Sequence, residues 1–463
     1  MNINHLFTRV LFVVVLLALG GLSAQTTHAA MPGAFGGAVS RIALDASGNV
    51  YLVGTSDAAW ASNPVRAFQG GSDAFVAKLD ANGVLQWLTF LGGASEDRGG
   101  DIAVGGSDVF VVGTSYAAWG TSPARAYTAF NDAFAARLNA TNGALQWHAF
   151  LGGAGADYGN GIALDASGNV YLAGTSSASW GATIPRAYTA LEDAFVAKLN
   201  SSGALQWNTF LGGAGIDEGA DIATDGSANV YVVGSSTDSW GVPVRGYWAT
   251  WDAFAVELNS SGALQWHTFL GGAGQDHGNA IVADAGGNNI YAAGGSTAIW
   301  GLPLRAYTAW WDGFAVKLNG SGTLQWNTFL GSSWSDTSDG IALDGSGNVY
   351  VKGSGDAAWG VPVRAYNAGY DAHAVKLDPS NGAMQMLAFV GGWGDDFGDG
   401  IALDASGNIF LAGVNDVVWG TPVESHGDAP HSFALKLNAS GVLQWNTFFG
   451  SVPYVTNLPL ILR

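Results

Sequence analysis

The sequence contains no cysteine, so neither a disulfide nor a lipidated cysteine can form. Basic residues are also scarce, with 17 Lys and Arg against 36 Asp and Glu and a net charge of −19. A surface this acidic repels nucleic acid and anionic lipid, so we expect no nucleic-acid partner. Beyond the N-terminal thirty residues, no apolar run is long enough to span a membrane.

The N-terminal segment has the features of a secretory signal peptide. Arg9 precedes an apolar run over residues 10–22, small residues follow, and cleavage after Ala29 or Ala24 fits the pattern. We therefore predict a signal peptide at 1–29 and a mature protein that is secreted or held at the cell surface. An uncleaved N-terminal anchor is the alternative, although the run is short for a membrane span.

The rest of the chain consists of a unit of about sixty residues that occurs seven times. One tryptophan marks each copy: Trp60, Trp119, Trp180, Trp240, Trp300, Trp359 and Trp419. In the third copy, short apolar segments at 161–165, 170–174, 193–199 and 205–211 alternate with turns rich in Gly, Ser and Asn. Four such segments joined by hairpin turns predict a small antiparallel sheet.

The predicted strands are apolar on both faces, which indicates that both faces of each sheet are covered. Seven sheets arranged radially cover one another in this way. We therefore predict an all-β fold, a seven-bladed β-propeller of four-stranded antiparallel blades, over residues 30–450. A C-terminal tail at 451–463 follows. Residues 34–38 are similar to the end of a fourth strand, and they are a candidate latch onto blade seven.

The repeat also resembles a known family. The segments Gly161-Ile-Ala-Leu-Asp-Ala-Ser-Gly-Asn-Val-Tyr171, Asp193-Ala-Phe-Val-Ala-Lys-Leu199 and Thr209-Phe-Leu-Gly-Gly213 are similar to the bacterial SBBP repeat. This resemblance covers about residues 35 to 450. It implies a seven-bladed propeller, and it implies a module of exported and cell-surface proteins that has no assigned reaction.

Residues that recur in every copy are expected to be structural. The marker tryptophans and a second recurrent set should fill the gaps between blades; the second set is Trp87, Trp147, Trp207, Trp266, Trp326 and Trp445. A recurrent arginine should bind a carbonyl or an aspartate, with ligand contact as the alternative; it is Arg66, Arg125, Arg186, Arg245, Arg305 and Arg364. His148 and His267 vary one strand position and are expected at the surface.

A recurrent aspartate in the loops between blades is expected to cap its own turn, with a cation-attracting ring as the alternative. It is Asp97, Asp157, Asp217, Asp276, Asp336 and Asp396.

Residues that depart from the repeat are better functional candidates. Aromatic residues replace small or polar ones in the loops of blades four to six, all of which a propeller places on one face. These candidate ligand-binding residues are Trp248, Trp251, Trp310, Trp311, Trp334, Tyr370, Trp393 and Phe397. Exposed rings beside carboxylates are typical of surfaces that bind a glycan or an extracellular protein. The alternative is that these loops bury one another.

Blade seven departs differently, because its loop contains two histidines and two carboxylates within eight residues. Glu424, His426, Asp428 and His431 form a candidate site for Zn²⁺ or a similar divalent metal. A polar loop that covers the closing blade is the simpler interpretation. No other cofactor is predicted.

These observations favour a non-catalytic binding or scaffold module, which we expect to be monomeric. The sequence has no sialidase-type Asp box, Gly-x-Ser-x-Gly, phosphate-binding Gly-rich loop or His-Glu-x-x-His motif. Two alternatives stay open. One is a metal-assisted hydrolase or lyase that uses the blade-seven loop, and the other is a purely structural envelope protein.

Overall fold

The computed structural model describes residues 37–424 and 431–449, apart from the side chain of His431. All regular secondary structure in these residues is β-strand, and no helix that could cross a membrane occurs among them. The predicted signal peptide at 1–29 and tail at 451–463 lie outside the described residues.

Twenty-eight strands form seven sheets of four strands. Blade one is β1 (Gly37–Leu44), β2 (Val50–Ser56), β3 (Asp73–Leu79) and β4 (Leu85–Leu91). Blade two is β5 (Asp97–Gly105), β6 (Asp108–Ser115), β7 (Asp132–Asn139) and β8 (Leu145–Leu151). Blade three is β9 (Asp157–Leu164), β10 (Val170–Ser176), β11 (Asp193–Leu199) and β12 (Leu205–Leu211). Blade four is β13 (Asp217–Thr224), β14 (Val230–Ser236), β15 (Asp252–Leu258) and β16 (Leu264–Leu270).

Blade five is β17 (Asp276–Ala283), β18 (Asn289–Ser296), β19 (Asp312–Asn319) and β20 (Leu324–Leu330). Blade six is β21 (Gly340–Leu343), β22 (Val349–Gly355), β23 (Asp371–Leu377) and β24 (Met384–Val390). Blade seven is β25 (Asp396–Leu403), β26 (Ile409–Asn415), β27 (His431–Leu437) and β28 (Leu443–Phe449). The strands of each blade pair antiparallel in chain order, so each blade comes from one copy of the repeat.

The first strands of consecutive blades pack side by side around the centre, and β1 contacts β25 to close the ring. This arrangement confirms the predicted seven-bladed propeller. Gly37 and Ala38 pair with β2 inside blade one, so these two residues do not form the expected latch onto blade seven. Closure instead uses side chains, because Trp445 Nε1 donates to the Ala81 carbonyl (3.1 Å) as its counterparts do between other blades.

The hairpin turns follow from the polar residues of the repeat. In blade three, Asp165 accepts hydrogen bonds from the amides of Ser167 and Asn169, both at 2.9 Å, and from the Tyr171 hydroxyl at 3.0 Å. Gly168 takes a positive φ of 76°, which costs glycine little. One carboxylate therefore fixes the first turn and ties it to the second strand.

Apolar side chains between neighbouring blades form the core, as the two-sided strands predict. Trp180 is buried and meets Phe195 edge-on with ring centroids 5.2 Å apart. Trp147 extends from blade two, packs on Gly203 of blade three and donates to the Ser201 carbonyl at 3.1 Å. Each blade thus depends on its neighbour for burial, because an isolated four-stranded sheet would leave both faces wet.

The recurrent arginines complete these interfaces and confirm the carbonyl-binding role. Arg125 donates from Nη1 to the Phe150 carbonyl (2.8 Å) and from Nη2 to the Gly152 carbonyl (2.6 Å). Its guanidinium also lies 5.4 Å from the ring centre of Trp180 in the next blade. Blade seven has Glu424 in place of this arginine, and Phe449 instead stacks on Trp60 with centroids 5.8 Å apart.

Candidate functional site

Two sets of loops meet at one end of the propeller. The loop between the second and third strands of a blade runs beside the loop that leads to the next blade, and short parallel bridges join them. Such bridges link Trp251 to Gln275, Trp311 to Ser335 and Ala368 to Trp393. We call these two sets of loops, together with the first residues of the inner strands, the mouth face. All eight predicted aromatic residues belong to it.

Three rings form a stack at the mouth between blades four and five. His277 lies between Trp251 and Trp311, with ring centroids 5.2 and 5.6 Å away and interplanar angles of 32° and 28°. Both tryptophans are half-buried. Gly295 makes room for the stack, because a Cβ at that position would collide with the Trp311 indole nitrogen.

A second aromatic pair lies between blades six and seven. The rings of Tyr370 and Phe397 are tilted by 37° with centroids 5.0 Å apart, and both residues are half-buried. The Tyr370 amide donates to Asp395 Oδ1 at 3.0 Å, which holds the tyrosine beside a carboxylate. The inner part of the mouth face therefore carries two ordered aromatic groups, and part of each ring surface stays open to solvent.

The other four predicted residues are exposed. Trp248 is 67% exposed, Trp310 71%, Trp334 57% and Trp393 78%. The alternative that these loops bury one another is therefore wrong for these four rings. Folding gains little from large indoles that stay in water, and four of them lie together on this one face.

At the loop position of Trp310, two exposed apolar residues were not among the residues predicted from the sequence. Phe130 in blade two and Leu191 in blade three are 74% and 62% exposed at the position of Trp310. All three have left-handed backbone, with φ between 52° and 57°. Blades one and six carry Gly71 and Gly369 there. The apolar part of the mouth face thus extends beyond blades four to six. The sequence could have revealed these two residues, because each is a bulky residue at a position where other blades have glycine.

Carboxylates adjoin both aromatic groups. Glu192 and Glu218 lie next to each other at the mouth beside blade four, and burial together with the charge of Glu218 raises the pKa of Glu192. Asp395 and Asp416 lie beside Tyr370, and burial together with the charge of Asp395 raises the pKa of Asp416. The aromatic rings are therefore set in an environment of crowded negative charge.

The recurrent loop aspartates are not part of this surface. Asp97 is buried and accepts the Gly93 amide at 2.8 Å, so it caps its own turn. It faces the buried Asp73 across Gly92. The cation-attracting ring is wrong for these residues, because their carboxylates point into the protein. The same pair of buried aspartates recurs five more times: Asp132 with Asp157, Asp193 with Asp217, Asp252 with Asp276, Asp312 with Asp336 and Asp371 with Asp396.

His148 and His267 are buried, so the expectation of surface positions was wrong. The His148 ring stacks on Trp119 at 4.4 Å, and the His267 ring stacks on Trp240 at 4.0 Å. Each Nε2 lies within hydrogen-bond distance of the same tryptophan's carbonyl, at 2.9 and 2.7 Å. Burial lowers the pKa of both imidazoles. They belong to the interfaces between blades.

The candidate metal site falls mostly outside the described residues, which exclude His426, Asp428 and the side chain of His431. Glu424 is described, and its carbonyl accepts the Phe448 amide at 3.0 Å. Over residues 37–424 and 431–449, no three or more His, Asp or Glu side chains converge in a way that could hold a metal ion. The blade-seven metal site stays a prediction.

Comparisons with known proteins bear on the fold. A family model described as SBBP, beta-propeller repeat, matches residues 146–179 and 206–239. No curated protein matches the sequence.

Among solved structures, hydrazine synthase of Kuenenia stuttgartiensis is similar at 12% identity and a TM-score of 0.49 over 85% of this chain and 96% of that one. Quinohemoprotein alcohol dehydrogenase from Comamonas testosteroni is similar at 13% identity and 0.43 over 89% and 68%. The polysaccharide lyase Uly1 is similar at 8% identity and 0.46 over 86% and 90%. Similarity at these values carries no information about activity. Two segments of the chain thus match the SBBP beta-propeller repeat, and the structure is a seven-bladed β-propeller of four-stranded blades.

Proposed function

We propose that this protein is an exported, non-catalytic binding module whose mouth face binds carbohydrate. The observation that carries the proposal is the group of exposed indoles, Trp248, Trp310, Trp334 and Trp393, around the half-buried stack of Trp251 and Trp311. The scaffold does not require these rings, since most blades have small or polar residues in their places.

The chemistry of the face suits a sugar. The flat side of a pyranose ring carries C–H groups that pack on an indole, while its hydroxyls bond to nearby carboxylates and amides. Half-buried rings supported by neighbours keep a fixed orientation, so little conformational entropy is lost on binding. Trp251 and Trp311 have this support from His277, and Tyr370 has it from Phe397.

A glycan array tests the proposal with three proteins. We expect the wild type to bind a subset of glycans, and we expect Trp251→Ala/Trp311→Ala to weaken binding by about 30-fold, which equals about 2 kcal/mol. The matched control is Val242→Ala/Leu302→Ala, which removes exposed apolar side chains from the outer part of the same two loops, next to the residues that pair with the fourth strands. Circular dichroism establishes that both variants fold.

The outcomes separate the alternatives. Glycan binding that the tryptophan variant loses and the control keeps supports the proposal. Equal binding by all three proteins would place the site elsewhere, and a wild type that binds no glycan would favour a structural envelope protein.

A further inference from the structure

We infer that the carbohydrate recognised by the mouth face carries protonated amino groups. The inference rests on the proposed function and adds a substrate class to it. It comes from the distribution of charge around the aromatic rings.

The basic residues of the described chain are engaged elsewhere. Six arginines are held by backbone carbonyls between blades, as Arg125 is. Lysines of the third strands reach carbonyls at the opposite end, as Lys78 does to Ala140 and Lys317 does to Pro379. Arg41 and Lys352 bind the Asp399 and Gly398 carbonyls in the innermost strands. On the mouth face, this leaves Arg98, which is already paired with Glu96, and His277, which is stacked between Trp251 and Trp311.

Acidic residues occupy the mouth face on both sides of the ring stack. Glu192 stands where blades four and five have Trp251 and Trp311, directly before the third strand. A bridge joins it to Ile216, two residues before Glu218. Glu218 is only 8% exposed and Glu192 is half-buried, so water screens their mutual repulsion incompletely. A ligand cation beside Glu192, the more exposed of the two, would meet a carboxylate whose ionisation is opposed by burial and by the charge of Glu218.

A second acidic group surrounds Tyr370 and Trp393. Asp395 accepts the Tyr370 amide through its side chain and the Asp416 amide through its carbonyl, both at 3.0 Å. Asp356 is also close enough for its charge to act on Tyr370, and its side chain accepts the Ser335 amide at 3.2 Å. Burial raises the pKa of Asp356 and of Asp416. Aromatic rings with carboxylates on two sides complement a ligand that has several cations spaced along it.

An amino sugar combines the two properties that this face selects. Its ring stacks on an indole, and its ammonium group meets a carboxylate or the face of an aromatic ring. An N-acetylated sugar keeps the ring and loses the charge. A uronic acid adds negative charge, which this face repels. We therefore expect preference for glucosamine oligomers over N-acetylglucosamine oligomers of the same length, and exclusion of uronic-acid oligomers.

Titration calorimetry tests the inference on the full-length mature protein with glucosamine and N-acetylglucosamine hexamers at about pH 6, where much of the amine is protonated and the hexamer is soluble. We expect the wild type to bind the free-amine hexamer at least about 30-fold more tightly at about 50 mM salt, and we expect this ratio to shrink at about 500 mM salt. The double variant Glu192→Gln/Glu218→Gln should lower the ratio below about fivefold. The control Asp80→Asn/Glu257→Gln removes two charges from the ends of third strands that lie farthest from the mouth face, and it should keep the affinity ratio of the wild type.

Each outcome bears on a different claim. Equal affinity for the two hexamers, or preference for the acetylated one, would overturn the amino-sugar inference and leave carbohydrate binding intact. Failure to bind either hexamer or any arrayed glycan would overturn the proposed function itself. Equally tight binding of an oligolysine of matched charge, unchanged in Trp251→Ala/Trp311→Ala, would overturn the inference in favour of a basic polypeptide partner.

Discussion

Replacing Asp73 with asparagine should stabilise the propeller above neutral pH and leave its stability in mild acid nearly unchanged. Asp73 is fully buried, and its Oδ1 has no hydrogen-bond partner. It faces the equally buried Asp97 across Gly92. Burial raises the pKa of each carboxyl to about 6, and the charge of Asp97 adds to the shift at Asp73. The folded protein therefore resists ionising this pair.

The sign of the effect follows from where the proton binds more tightly. An ordinary aspartate has a pKa of 3.8, so the folded state holds the Asp73 proton more tightly than the unfolded state does. The stabilisation is complete below pH 3.8 and is lost as the pH rises through about 6. A shift of this size corresponds to about 3 kcal/mol at most for one carboxyl, and screening by nearby solvent lowers that figure. An asparagine side chain cannot ionise, and it keeps an oxygen for the Gln69 amide, which donates to Asp73 at 2.8 Å.

Urea unfolding, measured from about pH 4.5 to about pH 8, tests this reasoning. The unfolding free energy of the wild type should fall as the pH rises. That of Asp73→Asn should fall less steeply, because the difference in bound protons between its folded and unfolded states is smaller by about one. The control is Asp45→Asn. Asp45 accepts hydrogen bonds from Asn49 and Tyr51 that lower its pKa, so its loss should destabilise the protein at neutral pH. Parallel pH profiles for the wild type and Asp73→Asn would refute the buried-pair argument.

Two further predictions separate scaffold from surface. Trp180→Ala should destabilise the protein by about 3–5 kcal/mol, because the buried indole packs against Phe195 and Arg125, whereas Trp310→Ala, which removes an exposed ring, should change stability by about 0.5 kcal/mol or less in the same urea assay. Similar losses in the two variants would contradict the distinction. Gly295→Thr installs the threonine that blades one to three have at this position; it should displace Trp311 from His277, change the near-ultraviolet circular dichroism and weaken glycan binding, and an unchanged spectrum would contradict the role of Gly295.

Most of the fold was predictable because seven copies repeat the same constraints. A marker tryptophan such as Trp180 is buried between blades in every copy, and turn residues such as Asn200 make similar local hydrogen bonds in each copy. Local chemistry and periodicity therefore suffice for the strands and turns. Ring closure was harder, because the contact between Trp445 and Ala81 joins residues from the two ends of the repeat array.

The site was predictable only in part, for a different reason. Aromatic substitutions such as Trp393 stand out against the repeat, and their loops place them on one face. The residues that contact an aromatic substitution cannot be identified from the sequence. The role of Gly295 beside Trp311 and the position of His277 between two indoles therefore emerged only from the structure. His148 was misjudged for the same reason, since nothing in its own segment shows that Trp119 covers it.

The most direct test of carbohydrate binding by the mouth face is ¹⁹F NMR of protein labelled with 5-fluorotryptophan, with resonances assigned by single substitutions. On addition of a glycan that the array identifies, the signals of Trp251 and Trp311 should shift, while those of the buried Trp180 and Trp240 stay in place. Saturating glycan that leaves Trp251 and Trp311 unmoved would contradict the account.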